Sequence, residues 1–439
     1  MRCDPPTGTG ATGRVSCDRR EWGWDVTGTI VVSQLGARMH YAVPRILQQA
    51  GRLERLYTDI CAVKGWPRIL GVTPASMLPS PLRRLRGRVP HGIPREMISG
   101  FETIGLEAVL MRTLDKSATA DMRSALRAGR RFSQAVVRTG FGAARGFYGI
   151  SGECLEQLQA ARSQGLWTAV EQIVAPREIL ERLTAAEVAR HPDWGTAAGR
   201  DPFAEEFAAR EKAEWANADI IVCPSEFVRD GVVAVGGPAE RCVVVPYGVD
   251  SRFRMEPRER HKQRPLRVLT VGAVGLRKGS PYVFEAARRL RGSAEFRLVG
   301  PWTVIPRVQS KLSDNVDLIG VVPREEVVDH YAWADVFLLP SVCEGSATVI
   351  YEALAAGLPV ITTPNAGSVV RDGLEGFVVP LGDTDRICET LRLLAQDRER
   401  LRAMSHQAVN RAGDYGLAAY GRRLLAALGS ADTPSRRAA

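Results

Sequence analysis

One feature narrows what this chain can fold into more than any other: from about residue 28 to 415, short runs of β-branched residues alternate with longer amphipathic runs. Parallel strands need long crossovers and helices supply them, so this order reads as parallel sheets covered by helices. In a first unit, residues 29–33, 147–150, 167–170 and 220–223 read as strands, and helices are expected at 41–50, 155–164 and 203–216. A long polar helical segment is expected over 98–138, and Ser225 stands where a helix N-cap belongs. The alternation then breaks at 252–265, a charged run of Arg, Lys and Glu without periodicity. Beyond it, six strands are expected at 266–272, 296–300, 316–320, 336–340, 359–362 and 376–380, one complete doubly wound domain. A chain of 439 residues is too long for one ordinary core and suits two. The expected organisation is a disordered tail at 1–27, a Rossmann-like domain at 28–251, a linker at 252–265 and a second Rossmann-like domain at 266–415. A C-terminal helix at 416–430, packing back on the first domain, and a disordered tail at 431–439 complete it.

Composition matters mainly for what it excludes. The longest uncharged stretch, 353–370, is broken by Gly357, Pro359, Pro364 and Gly367, so no membrane-spanning helix is expected, and the first residues lack the apolar core of a signal peptide. Eight cysteines form no CxxC pair, and several sit in apolar runs as buried thiols do, which points to a reducing cytoplasm. The net charge of +10 implies an anionic partner. The densest basic stretch, Arg83, Arg84, Arg86 and Arg88 with leucines between, reads either as a solvated face or as a peripheral contact with the inner face of a membrane. Basic residues are not interleaved with aromatics along one element, so a nucleic-acid partner is not expected.

Two loops carry the chemistry. The first, Gly272-Ala273-Val274-Gly275-Leu276-Arg277-Lys278-Gly279, follows a strand and precedes a helix, where phosphates dock on backbone N–H groups and Arg277 and Lys278 add positive charge. Its glycines fit neither GxGxxG nor a Walker motif. The second runs from Pro340 through Glu344 to a helix bearing Glu352, eight positions on. Two carboxylates aimed at one crevice suit a ligand rich in hydroxyls, and the N–H groups of the helix start suit a phosphate. Asp383-Thr384-Asp385 looks like a metal-holding DxD, but an aspartate before a helix reads as an N-cap, and the histidines form no ligand spacing, so no metal is expected.

These segments, with Ala334 to Ser341, the Glu344/Glu352 pair spaced E-x7-E and Ala356-Gly357-Leu358-Pro359-Val360, resemble retaining glycosyltransferases of family 4, which have the GT-B fold. The runs 218–226 and 245–250 resemble the end of that family's first domain; the likeness is specific over 216–415 and loose over 28–215. It implies an α/β protein of two Rossmann-like domains facing each other across a cleft. The implied activity is transfer of a hexose from a nucleotide-sugar to a polysaccharide or glycolipid acceptor, with retention and without a cofactor. By the same resemblance Lys278 and Arg277 neutralise the departing diphosphate, Glu344 holds the transferred sugar, and Glu352 binds the ribose. Gly272, Ser346, Ala347 and Thr348 meet sugar or phosphate, and Gly320 and Val321 line the base pocket. On the acceptor side stand Gly36, Glu171 and Gln172, while Asp59, after Tyr57-Thr58, reads either as an acceptor contact or as a turn cap. Two departures stand out: Ala273 where the family often has arginine, and Glu171-Gln172 where it often has histidine. A non-catalytic sugar-nucleotide-binding protein and a GT-B sugar-nucleotide epimerase stay open as alternatives.

Overall fold

Ile30, Val31, Val32 and Ser33 are all buried, as residues of a strand must be when helices cover both faces of its sheet. The computed structural model describes residues 28–71, 73–74, 77–114, 119–194, 201–257, 264–302, 308 and 314–429. The expected tails at 1–27 and 431–439 lie outside the described residues, as do positions 258–263 of the expected linker.

Within them, β1 (Ile30–Ser33), β2 (Leu53–Thr58), β3 (Ile98–Gly100), β4 (Gly146–Ile150), β5 (Trp167–Glu171), β6 (Ile220–Cys223) and β7 (Cys242–Val244) form one sheet in the order β3-β2-β1-β4-β5-β6-β7. A second sheet holds β8 (Leu266–Val271), β9 (Ala294–Val299), β10 (Val316–Gly320), β11 (Val336–Leu339), β12 (Val360–Thr362) and β13 (Gly376–Val378), in the order β10-β9-β8-β11-β12-β13. Strand pairings in both sheets are parallel, for example Ile30 beside Leu53 and Phe337 beside Val360.

Besides the short edge strand β7, which was not among the expected strands, the structure departs from the sequence reading in three places. β2 was not among the expected strands, because Glu54 and Arg55 break its apolar pattern. Both are satisfied sideways: Glu54 accepts from Thr29 Oγ1 at 2.6 Å, and Arg55 reaches Ser99 Oγ at 3.2 Å. The segment expected to be helical throughout 98–138 begins with the short edge strand β3, then divides into the helices Glu102–Leu114 and Ala120–Thr139. The described part of 252–265 is also not structureless. Asp250 caps a short 3-10 turn, Ser251–Phe253, whose Phe253 is buried edge-on to Tyr331, and Arg264 makes a bidentate pair with the buried Asp335 at 2.7 and 2.9 Å.

Three further contacts join the halves. The helix Leu417–Gly429 lies on the helix Ala42–Gln49 of the first sheet's domain, where Gly421 leaves room for Ile46. Tyr420 meets Tyr247 edge-on, and Arg423 donates to the Pro246 carbonyl at 3.1 Å. A single apolar cluster therefore runs from Ile30 through Tyr247 and Tyr420 to Tyr351 and Leu354.

Phe253 pins the chain between the two sheets, so Phe253→Ala is expected to lower unfolding stability by about 3 kcal/mol through lost burial and the cavity left behind. A denaturant titration reads this as a shift in midpoint.

Candidate functional site

In each sheet the chain starts at the centre, builds outward on one side, then returns to build the other: β1 and β4 are neighbours, and so are β8 and β11. The crevice outside the carboxyl ends of such central strands is where open α/β sheets collect ligands. The two loops singled out in the sequence follow β8 and β11.

The β8 loop is shaped by glycines. Gly272, at φ +145°, lies under the Lys278 side chain, where an added Cβ would come within 3.0 Å of Cε. The loop tightens into a 3-10 turn, Leu276–Lys278, closed by Gly279 at φ +70°. A Cβ on Gly279 would overlap the Pro340 carbonyl, so a glycine there lets the β8 and β11 loops touch. The Val342 N–H donates to the Arg277 carbonyl at 2.9 Å and ties them together. Lys278 Nζ thereby sits 2.9 Å from Glu344 Oε1, with the Arg277 guanidinium 3.7 Å from Oε2. Lys278 and Glu344 are largely shielded from water, while Arg277 is half exposed. Although close, the Lys278–Glu344 pair lacks the alignment of a hydrogen bond: Oε1 has no hydrogen-bond partner in the structure, and the contact is a charge pair.

The β11 loop is held from behind by the loop after β12. Glu344 N–H donates to Asn365 O at 3.0 Å, and Asn365 Nδ2 donates to Val342 O at 2.8 Å. This support corrects one expectation. The Ala347 N–H, expected to face a ligand, donates to Ala366 O at 3.1 Å, and the Ser346 hydroxyl is held between Gly367 O and Tyr351. The first turn of the helix Thr348–Ala355 leaves the N–H of the expected Thr348, and with it that of Val349, without an intrahelical carbonyl. On that helix Glu352 is buried; it accepts from Tyr331 OH at 2.9 Å and lies 3.4 Å from Arg324 Nη2. Burial pushes its carboxyl above the usual range, opposed first by the Arg324 charge. Gly320 and Val321 end β10, two strands from β8 and so about 10 Å along the same edge, with the Val321 side chain exposed.

On the facing domain, Gly36 turns at φ +73° after β1. Two carboxylates grip it: Gly36 N–H donates to Asp59 Oδ1 and Leu35 N–H to Glu153 Oε2, both at 2.9 Å. Asp59 thus supports the turn, and its Oδ2 takes Arg88 Nη1 at 3.3 Å. Glu153 was absent from the expected set. It follows β4, which is next to β1, whereas Glu171 ends β5 and Gln172 follows it, one strand farther away. Burial first of all pushes the Glu153 carboxyl up to about 7. Both expected residues are sealed in the core instead. Glu171 accepts from Tyr148 and Tyr247, each at 2.7 Å; Gln172 accepts from Trp215 Nε1 at 2.9 Å and donates to Glu211 and to the Val174 carbonyl.

The turn continues into Met39, His40 and Tyr41, three successive non-glycine residues at φ +43°, +51° and +60°. Each costs about 1–2 kcal/mol, so surrounding packing must impose the run. His40 there feels Arg324 and Arg252: burial first, then those charges, lower its pKa. Elsewhere across the crevice, Ser225 Oγ donates to Gly345 O at 2.5 Å, and Gly345 approaches the Ile173 carbonyl so closely that a Cβ would overlap it. Arg324 is the second contributor absent from the sequence reading, because its nearness to Glu352 depends on how the segment after β10 folds back. Asp383 caps the helix Thr384–Gln396 by accepting from Arg386 N–H at 2.8 Å, and Asp385 pairs with Arg289. Among the described residues no group of three or more His, Cys, Asp or Glu could hold a metal ion, no helix is long and apolar enough to cross a membrane, and the cysteines are unbridged.

Residues 265–397 match the family model of glycosyl transferases group 1. The amylovoran biosynthesis glycosyltransferase of Erwinia amylovora is 29% identical over 199 residues, 42% of this chain and 49% of that protein. The GDP-mannose-dependent alpha-(1-6)-phosphatidylinositol monomannoside mannosyltransferase of Mycobacterium tuberculosis is 30% identical over 213 residues, 42% of this chain and 55% of that protein. The chain thus spans about half the length of the curated relatives it matches. Among solved structures, Anabaena HepE in complex with UDP and glucose aligns with a TM-score of 0.59 at 15% identity, covering 92% of this chain and all of that one. Sucrose-phosphate synthase from Thermosynechococcus elongatus aligns at 0.59 with 16% identity over 91% and 97%. The fold is that of GT-B glycosyltransferases.

Because the Glu352 carboxyl titrates above the ordinary carboxylate range, nucleotide affinity is expected to fall as pH drops through that raised value. Calorimetric titration of nucleoside diphosphate across pH should show the loss in the wild type, whereas Glu352→Gln should bind weakly with no such pH step.

Proposed function

We propose that the chain is a glycosyltransferase that moves a hexose from a nucleotide-sugar to a hydroxyl of a polysaccharide or glycolipid acceptor, with retention of configuration. The observation that carries this reading is the meeting of Lys278, Arg277 and Glu344 at 2.9 and 3.7 Å, at the end of the two central strands of a sheet whose sequence matches glycosyl transferases group 1. Support for the donor class comes from neighbours and relatives: the HepE structure holds UDP and glucose, and the mycobacterial relative is named for GDP-mannose.

The donor diphosphate lies against Lys278, Arg277 and the first-turn N–H groups of Thr348 and Val349. The ribose hydroxyls donate to Glu352, and the base rests along Gly320 and Val321. Glu344 faces the sugar and accepts from its hydroxyls, which keeps the anomeric carbon beside the acceptor. The bond between that carbon and the diphosphate oxygen breaks, and negative charge grows on the leaving oxygen next to two fixed cations in a shielded crevice, where stabilisation of this kind is strongest. The acceptor hydroxyl bonds to the same face of the carbon and its proton passes to the departing phosphate, so atoms and charge balance with nucleoside diphosphate as the second product. In this reading the cationic pair does what a divalent metal does in other transferases. Arg277 supplies the charge that Ala273 lacks. The Gly36 turn, held by Asp59 and Glu153, forms the acceptor wall. The enzyme works in the cytoplasm, with peripheral attachment at the membrane's inner face through the basic stretch that includes Arg83 and Arg86, Arg88 being turned to Asp59.

Lys278→Ala is expected to cut turnover on the order of 100-fold and also to weaken nucleotide binding. Glu344→Ala is expected to abolish transfer while leaving nucleotide affinity within a few-fold. Release of nucleoside diphosphate from a panel of UDP-, GDP- and ADP-sugars measures both; a protein that binds donors but never cleaves them would be a non-catalytic binder.

A further inference from the structure

Large apolar residues that stand exposed are concentrated on one edge of the first domain. Among the described residues, Trp66, Ile69, Met77, Leu106, Val109, Leu110 and Leu114 fall within one stretch, and only Val233, Val321 and Leu374 fall elsewhere. The helix Glu102–Leu114 accounts for four of them. Its inner face packs Ile104 and Ala108 near Phe132 and pairs Glu107 with Arg127 and Arg131 of the helix Ala120–Thr139. Its outer face carries Leu106, Val109, Leu110 and Leu114, spaced three, four and eight residues from the first, which puts them on one stripe. Leu114 is 75% exposed and Val109 60%. A helix apolar on both sides normally sits inside a core or against something else.

The neighbouring segment indicates what that something is. Residues 60–95 contain Lys64, Arg68, Arg83, Arg84, Arg86, Arg88 and Arg95 and no Asp or Glu. Arg88 turns inward to Asp59, while Arg68, Arg83 and Arg95 are exposed. This segment lies against the start of the stripe-bearing helix: Gly65 closely approaches the Glu102 carboxylate, and Ile60 fills the space above Gly105. Both pieces leave the carboxyl ends of β2 and β3, the edge that faces the crevice. Exposed aliphatic side chains beside a segment of arginines that itself carries no Asp or Glu match an interface of acyl chains beneath anionic headgroups.

We infer that this edge of the first domain docks on an anionic lipid surface. Leu106, Leu110 and Leu114 enter the boundary between headgroups and acyl chains with Trp66, Ile69 and Met77, while Arg68, Arg83, Arg86 and Arg95 meet the headgroups. A lipid-linked acceptor would then reach the Gly36 side of the crevice from the bilayer. The inference deepens the membrane contact proposed above and does not depend on the donor chemistry.

Flotation of the full chain with phosphatidylcholine vesicles, with and without phosphatidylglycerol, tests it. Binding is expected only to the anionic vesicles and to weaken as salt rises. Leu106→Glu with Leu110→Glu should abolish flotation, and Arg83→Gln with Arg86→Gln should weaken it by about fivefold per charge. Nucleoside diphosphate affinity should be unchanged in both variants, so loss of docking and failure of the donor site read out separately. Equal binding to neutral vesicles, no binding by the wild type, or full binding by both variants would overturn the inference. So would a wild-type dimer in lipid-free solution that the Leu106→Glu, Leu110→Glu variant dissociates, because a second copy would then cover the stripe.

Discussion

The site depends on one shielded charge pair, Lys278 with Glu344, formed between loops that are far apart in sequence and adjacent in space. Such a pair is costly to desolvate and is kept only where the surroundings hold both partners in place. Here the holding is done by backbone. Gly279 lets the β8 loop touch Pro340, Val342 donates to the Arg277 carbonyl, and Asn365 braces the β11 loop from behind. Neither charge is fully matched within the protein, since Glu344 Oε1 has no aligned hydrogen-bond donor.

The facing domain contributes a rigid wall. Asp59 and Glu153 each take one N–H of consecutive residues in the glycine turn, and the left-handed run from Met39 to Tyr41 is anchored by the fully buried Tyr41. Strain of this size is retained where position matters more than stability. The halves meet at Gly345, the residue after Glu344, which lies against Ile173 and accepts from Ser225. Glu344 is therefore adjacent to the point of contact between domains, and its placement depends on how that contact is made.

Most of the second domain was legible in the sequence, because its strands are rich in β-branched and other apolar residues and most run into a glycine or proline, and their observed bounds lie within two residues of expectation. In the first domain β2 was not, since Glu54 and Arg55 are satisfied by partners distant in sequence, and β3 is only three residues long. The nearness of Lys278 to Glu344 could be anticipated from the positions of two βα loops. Glu153 could not, because its role follows from β4 lying beside β1, and sequence alone does not order strands. For the same reason Gln172 was placed on the acceptor side although it is spent in the core on Trp215 and Glu211. The Ala347 N–H was misread because its partner, the Ala366 carbonyl, arrives from the loop after β12.

A crystal structure of the chain with a nucleoside diphosphate tests the central claim most directly. The account predicts the diphosphate on Lys278 Nζ and Arg277, with the ribose hydroxyls on Glu352. A nucleotide bound away from the β8 and β11 loops, with the Lys278–Glu344 pair undisturbed, would contradict it.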